Sequence, residues 1–545
     1  MNNFTSRGKV YIFILISYFL FAACHTLSTS DKKTFRYNEP TGIASLDPAF
    51  AKNQSIIWPV HQLYNTLVQT DMHLNIIPSL AKSWNISEDK KTYYFHLRRD
   101  VFFQDNAAFP NGKGRLLVAS DIVYSLTRLV DKKTASSGAW IFNEKISGTD
   151  AFQAPDDSTF ILHVLRPFHP MLGLLSMQYC SIVPWEVVKK YGRDFRNHPC
   201  GTGPFQFKSW EEGQELILIK NERYFEKDSE NTRLPYLDAI KISFFDNRAT
   251  EFLLLQQNRL DFMNDIDPSF KDEILNKKGE LKKEWEGRIL LSKSPYLNTE
   301  YLGILVDSSL IQVKLSPLRF LKIRQAINYG IDREKMMTYL RNSIGTPAES
   351  GFVPPGLPSF DSSKVQGYHY NPSKSRELLK EAGYPNGIGL PMITLKTIDI
   401  YADLAGFIAR QLQEVGISIQ IDITQKSLLL EETAKSQAMF FRASWIADYP
   451  DAENFLSIFY SGNPAPPNYT RYSNKIFDEL YQKSLQENND SLRYSLYQEM
   501  DKLVIKDAPV VPLWYDQVIH LVNPAVSGFE ANGLNLLELR HTRIR

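Results

Sequence analysis

The chain has 545 residues, 43% hydrophobic, 12% aromatic and 23% charged. That length exceeds one ordinary core and predicts three or four domain-sized units of a soluble globular protein. With 62 Lys+Arg against 61 Asp+Glu the formal net charge is +1, and basic clusters are missing, which excludes the basic excess of a nucleic-acid binder.

In chain order, Arg7 and Lys9 precede an apolar run, Val10 to Ala23, interrupted by Ser17 and followed at once by Cys24. A basic start and a hydrophobic stretch too short for a comfortable membrane span read as a signal peptide over residues 1–23. Ala22 and Ala23 before Cys24 resemble the lipobox of bacterial lipoproteins, with Phe21 where Leu is usual. Cys24 then becomes a lipidated N-terminus, residues 24–33 a polar tether, and the folded part lies outside the cytoplasm. Cys180 and Cys200 would sit where disulfides are permitted. Their spacing allows a bridge without establishing it; two free buried thiols are the alternative.

Residues 76–198 have a strand-rich character of their own. Within them Tyr93, Phe95 and Leu97 alternate with Thr92, Tyr94, His96 and Arg98, a half-buried strand, and residues 119–130 read as helix. Gly201-Thr-Gly-Pro-Phe205 makes a tight turn before a strand, so it lacks the following helix that a phosphate site needs. Glu215 to Lys220 and Ala239 to Phe245 read as strands, and 318–341 as helix. Leu404, Ile408, Leu412 and Val415 form a helical face stopped by Gly416, and Ile417, Ile419, Ile421 and Ile423 then alternate as a strand. Such a helix–strand unit is typical of α/β layering, and the chain is read as a multi-lobed α/β protein whose lobes exchange segments. Loops with Pro and Gly punctuate 345–358 and 461–468.

Arg442-Ala-Ser-Trp-Ile-Ala-Asp-Tyr-Pro-Asp451 follows apolar Met439, Phe440 and Phe441, so it reads as a buried strand emerging into a loop. Charges at the mouth of a buried strand are costly unless the protein or a ligand pairs with them. Arg442 can be a ligand's partner or an internal partner of Asp448 or Asp451. Asp448 and Asp451 could in principle work as a general acid/base pair, but nothing around them supports catalysis. The chain has no phosphate loop, no Gly-x-Ser-x-Gly elbow and no His-Glu-x-x-His pair. Its 10 histidines are scattered, none at metal-ligand spacing, so no metal or other cofactor is called for.

Four segments, in order, carry a resemblance: Ser79-Leu-Ala-Lys-Ser-Trp84 with Phe95-His-Leu-Arg98; Gly201-Thr-Gly-Pro-Phe-Gln-Phe-Lys-Ser-Trp210; Ile323-Arg-Gln-Ala-Ile-Asn-Tyr-Gly-Ile-Asp-Arg333; and Trp445-Ile-Ala-Asp-Tyr-Pro-Asp451. Together with Leu46-Asp-Pro48 they resemble the family 5 extracellular solute-binding proteins, the oligopeptide- and dipeptide-binding receptors of ABC importers. The resemblance implies a two-lobed periplasmic-binding-protein type II fold with an additional domain in the N-terminal lobe. It allots 34–75, 199–302 and 505–545 to lobe I, 76–198 to the extra domain and 303–504 to lobe II.

It also implies roles. Asp448 would pair with a peptide ammonium and Arg442 receive a peptide carboxylate. Ser444 and Ile446, flanking Trp445, would offer backbone groups to an extended peptide, and Tyr296 would stand beside the site. Ser427 and Tyr401 fall where some members carry a tryptophan and a histidine, and the usual Asn-Asp before the 323–333 helix is lost. The function implied is a monomeric, lipid-anchored receptor, in the bacterial periplasm or at the cell surface, handing peptides to a membrane permease without chemistry. The same fold on another solute (nickel chelate, haem or sugar), a secreted hydrolase, or an adhesion or signalling lipoprotein are the alternatives.

Overall fold

A computed structural model describes residues 33–545; the signal-peptide region and Cys24 lie outside the described residues. One 11-stranded sheet runs through the molecule. From one edge its strands are Ile419–Ile423, Ile393–Thr397, Phe440–Ile446, Leu290–Ile304, Val510–Val522, Phe262–Asn264, Thr34–Asn38, Ala239–Ser243, Glu215–Lys220 and Phe205–Glu211, and Thr346–Pro347 also pairs with Val510–Val522. The long antiparallel strands Leu290–Ile304 and Val510–Val522 cross between the two lobes. Their register holds from Leu290 to Pro295, breaks between Pro295 and Thr299, slips again between Glu300 and Tyr301, and continues to Gly303. At the Leu290 end Val510–Val522 pairs on its other side with Phe262–Asn264, in the lobe of the chain's beginning. Beyond the first break Leu290–Ile304 pairs with Phe440–Ile446 and the other lobe. The fold is the two-lobed mixed α/β arrangement expected.

A separate 4-stranded antiparallel sheet is built from Ala81–Ile86, Thr92–Leu97, Thr159–His163 and Phe152–Asp156. Tyr93, Phe95 and Leu97 point inward as their alternation predicts, and this sheet shares one hydrophobic core with the first lobe. The second lobe has its own core, in which Leu302, Ile304, Phe440, Val511 and Leu513 meet Ile323, Ile327, Ile408 and Leu412 of the covering helices.

The Gly201–Phe205 turn is structural. A Cβ at Gly201 would lie 2.2 Å from the Leu63 carbonyl oxygen, and one at Gly203 2.4 Å from that of Gln62, so only glycine lets this backbone lie against the end of helix Gln54–Leu63. The predicted helix over 318–341 is two helices, Leu321–Tyr329 and Arg333–Arg341, because the Asp332 side chain accepts from the Lys335 N–H and starts a new helix after Gly330. Arg333 is wholly buried, and its guanidinium donates to the carbonyls of Pro512 (2.6 Å), Asn328 (3.0 Å) and Tyr368 (3.2 Å). Burial pushes its pKa down to about 10. The 402–423 unit forms as helix Ala402–Glu414 and strand Ile419–Ile423, with Gly416 at φ +99°.

Cys180 and Cys200 are not bridged. Both are buried, and the sulfurs point to different carbonyls, Leu174 at 3.5 Å and Gln104 at 3.4 Å. Each is packed as a small apolar side chain, and burial holds both thiols well above the usual range.

Candidate functional site

Phe440–Ile446 forms a strand because consecutive apolar residues Phe440 and Phe441 fill cores on its two faces. Its alternation puts Phe440, Arg442, Ser444 and Ile446 on one face and Phe441, Ala443 and Trp445 on the other, where Ala443 and Trp445 pack on the helical core around Phe455 and Tyr497. The Ala447 N–H donates to the Leu297 carbonyl at 2.8 Å. The two-residue rhythm of an antiparallel ladder then turns the backbone groups of Trp445 and Ala443 toward Leu290–Ile304 and those of Ser444 and Ile446 away from it. On that outer side Ile393–Thr397 pairs with the strand at Phe441. Among the described residues no strand covers the edge from Ser444 to Ile446, and the Ile446 side chain is 48% exposed.

Asp448 stands in the loop beyond this edge. Its carboxyl opens to solvent between the lobes but is crowded by protein, and that desolvation raises its pKa from 3.8 to about 6. Asn454 lowers it slightly by hydrogen bonding. Asn454 also accepts from Trp445 Nε1 at 2.9 Å, tying the indole to the same corner. Among the described residues no Lys, Arg or His pairs with Asp448. The Tyr179 hydroxyl, from the extra-domain side, is close enough for Asp448 to help raise its pKa, after burial.

Asp451 has a different task. Its side chain accepts from the Glu453 N–H at 2.9 Å and caps helix Ala452–Leu456, so it forms no acid/base pair with Asp448. Tyr449 turns inward, where its hydroxyl and that of Tyr481 both donate to buried Glu453.

Arg442 is the correction to the sequence reading. Its partner is neither Asp448 nor Asp451 but Glu300, diagonally across the ladder on Leu290–Ile304. The guanidinium lies over the Tyr401 ring, 3.6 Å from the centroid. Glu300 also accepts from Asn298 Nδ2 at 3.2 Å, and the same amide group reaches Asp516 at 3.3 Å. Asp516 pairs with Arg341 at 2.9 Å. Burial raises the pKa of Glu300 against the opposing pull of Arg442. Tyr296 is half-buried beside this group; burial and then the Asp516, Asp265 and Glu300 charges raise its hydroxyl pKa.

The structure therefore brings Trp445, Ser444, Ile446 and Asp448 to one corner and Arg442 and Tyr296 to an adjoining polar cluster. Ser427, in the first turn of helix Lys426–Ala434, is exposed. Sequence reasoning missed Glu300, Asn298, Asp516, Arg341 and Asn454. A signal existed for Glu300, the single charged residue between Tyr296 and Ile304, but its partner lies 142 residues away. A crevice of about 590 Å³ lies beside the Asp448 corner, lined by Phe168, His169, Tyr449, Asp451, Arg493 and Tyr494 among others. There the extra domain meets the second lobe: the His169 N–H donates to the Leu485 carbonyl at 3.1 Å and Lys90 Nζ to that of Gln486 at 2.7 Å. Among the described residues no cluster of His, Cys, Asp and Glu could hold a metal ion, and no helix is long and apolar enough to cross a membrane.

Two lobes joined by crossing strands meet at a carboxylate without a cationic partner among the described residues and at an open strand edge, an arrangement of the kind found in solute-binding proteins. The profile of the bacterial extracellular solute-binding proteins, family 5, matches residues 75–467, and the chain belongs to that family. Among its relatives, a glutathione-binding protein GsiB of Salmonella choleraesuis is 27% identical over 90% of both chains. The dipeptide-binding protein DppE of Bacillus subtilis is 24% identical over 94% of this chain and 92% of its own. Among solved structures, HbpA2 of Haemophilus parasuis superimposes with a TM-score of 0.81 at 22% identity, covering 94% of this chain and 100% of its own. A periplasmic DppA of Helicobacter pylori in complex with the peptide STSA gives 0.75 at 24%, covering 95% and 100%.

Proposed function

We propose that this protein captures peptides between its lobes and delivers them to the permease of an ABC importer. The observation that carries this reading is Asp448, a carboxylate without a cationic partner among the described residues, next to an unpaired strand edge. A peptide supplies what each lacks. Its α-ammonium is a fixed cation for the desolvated carboxylate. Its extended backbone can pair with Ser444 and Ile446, a contact indifferent to side chains. Trp445, held by Asn454, walls the corner. The names of the relatives, glutathione- and dipeptide-binding, support the same class. Asp448→Ala is expected to weaken binding of a peptide with a free amino terminus by roughly 2–5 kcal/mol in calorimetry; unchanged affinity would remove the assignment.

In the same reading residues 34–75, 199–302 and 505–545 form the first lobe, 76–198 its extra domain and 303–504 the second lobe. Diacylglyceryl modification of Cys24 anchors the protein, as a monomer outside the cytoplasm, to a membrane. Intact-mass analysis of the mature protein is expected to show a lipidated start at Cys24; any other first residue refutes the anchor.

A further inference from the structure

Arg442 is the only cation on the strand that borders the open edge, and it is already held. Its side chain is 12% exposed and that of Glu300 5%. One face of the guanidinium covers Tyr401, and Glu300 accepts from Nη2. Around this pair the charge count runs against a further anion. Glu300 and Asp516 face two guanidiniums, Arg442 and Arg341, and Asp265 beside them adds a third carboxylate; the one further guanidinium facing Asp265 among the described residues, Arg248, is itself paired with Glu251. A ligand carboxylate brought to Arg442 would have to displace Glu300 and leave it buried and unpaired, next to Asp516.

We propose that Glu300 is a specificity-determining residue: by occupying Arg442 it removes a carboxylate receptor from the cleft, so the protein reads peptides from the amino end and is indifferent to whether the carboxyl end is charged. This rests on the peptide reading above. It predicts that longer peptides and carboxyl-blocked peptides are ligands alongside free ones, with register set at Asp448. It also gives Tyr401 a purpose, since a ring stacked on the guanidinium keeps Arg442 aimed at Glu300.

The test is calorimetry on the full mature chain with alanine peptides from dipeptide to pentapeptide, each as free acid and as C-terminal amide. For the wild type, amidation is expected to change affinity by less than about threefold at every length. Glu300→Gln, which keeps the shape and removes the charge, is expected to create a preference of about tenfold or more for the free acid at one length. Adding Arg442→Gln should abolish that preference. A wild-type preference of about tenfold for the acid that Arg442→Gln removes overturns the inference. So does a Glu300→Gln protein with native circular dichroism that gains no preference at any length. If Glu300→Gln does not fold, the wild-type series compared with Arg442→Gln still decides. A wild type that binds none of the peptides, acid or amide, brings down the peptide reading itself and this inference with it.

Discussion

Arg442 and Asp448 stand at the two ends of one strand-and-loop segment in opposite electrostatic states. The arginine is largely covered, paired with Glu300 and stacked on Tyr401; the aspartate opens between the lobes with no cation paired to it among the described residues. Sequence alone presents both as costly charges on an apolar run. The difference teaches that two charges alike in sequence can end in opposite settings, one paired within the fold and one open at the cleft, and that only packing tells them apart.

The largest effect expected is on the built-in pair. Arg442→Ala leaves Glu300 buried without its counter-charge and should lower unfolding free energy by about 3–5 kcal/mol in urea titrations. Burial raises the pKa of Glu300, so acidification protonates it and the deficit of the variant should shrink at lower pH. A variant as stable as wild type would mean that Arg442 is free after all.

The open charge should respond through binding. With the Asp448 pKa raised from 3.8 to about 6, peptide affinity should be level above pH ~7 and fall up to about tenfold per unit below pH ~6, as protonation removes the anion that an ammonium needs. Because the folded value lies above the ordinary one, Asp448 adds relative stability below pH ~4 that is lost as pH rises through about 6. Calorimetry across this range checks the binding; affinity independent of pH would mean that the ligand's cation goes elsewhere.

The smallest effect concerns the stacking. Tyr401→Leu keeps bulk and loses the ring beneath the guanidinium, and should lower stability by about 0.5–2 kcal/mol, measured as a shift in the urea midpoint. A larger loss would show the ring to be a principal support of the Arg442–Glu300 pair.

What could be read from the sequence was local. The Tyr93, Phe95 and Leu97 face, the helix closed by Gly416 and the fixed turn at Gly201 and Gly203 are patterns within a few residues, and each formed. The helix over 318–341 was misjudged only in continuity, and Asp332 before Arg333-Glu334-Lys335 was a readable cap. The Asp448 corner was legible because its members are neighbours along the chain. The Arg442–Glu300 pair was not: it arises from strands 142 residues apart, whose register no local pattern specifies. For the same reason the separation of Cys180 from Cys200, each turned to a different carbonyl, could not be foreseen.

Leu290–Ile304 and Val510–Val522 enter both lobes without a chain break, and their register lapses in the few residues from Pro295 to Tyr301. Opening the molecule therefore bends two ribbons at a packed joint, where Leu297 and Tyr301 are buried among Phe352 and Phe455, Leu74 and Leu534 pack against them, and the Leu297 N–H donates to the Gly533 carbonyl at 2.8 Å. Bending of this kind is absorbed by a handful of backbone torsions. Contacts across the cleft, such as His169 with Leu485, and this packing at the joint both have to yield when the lobes part.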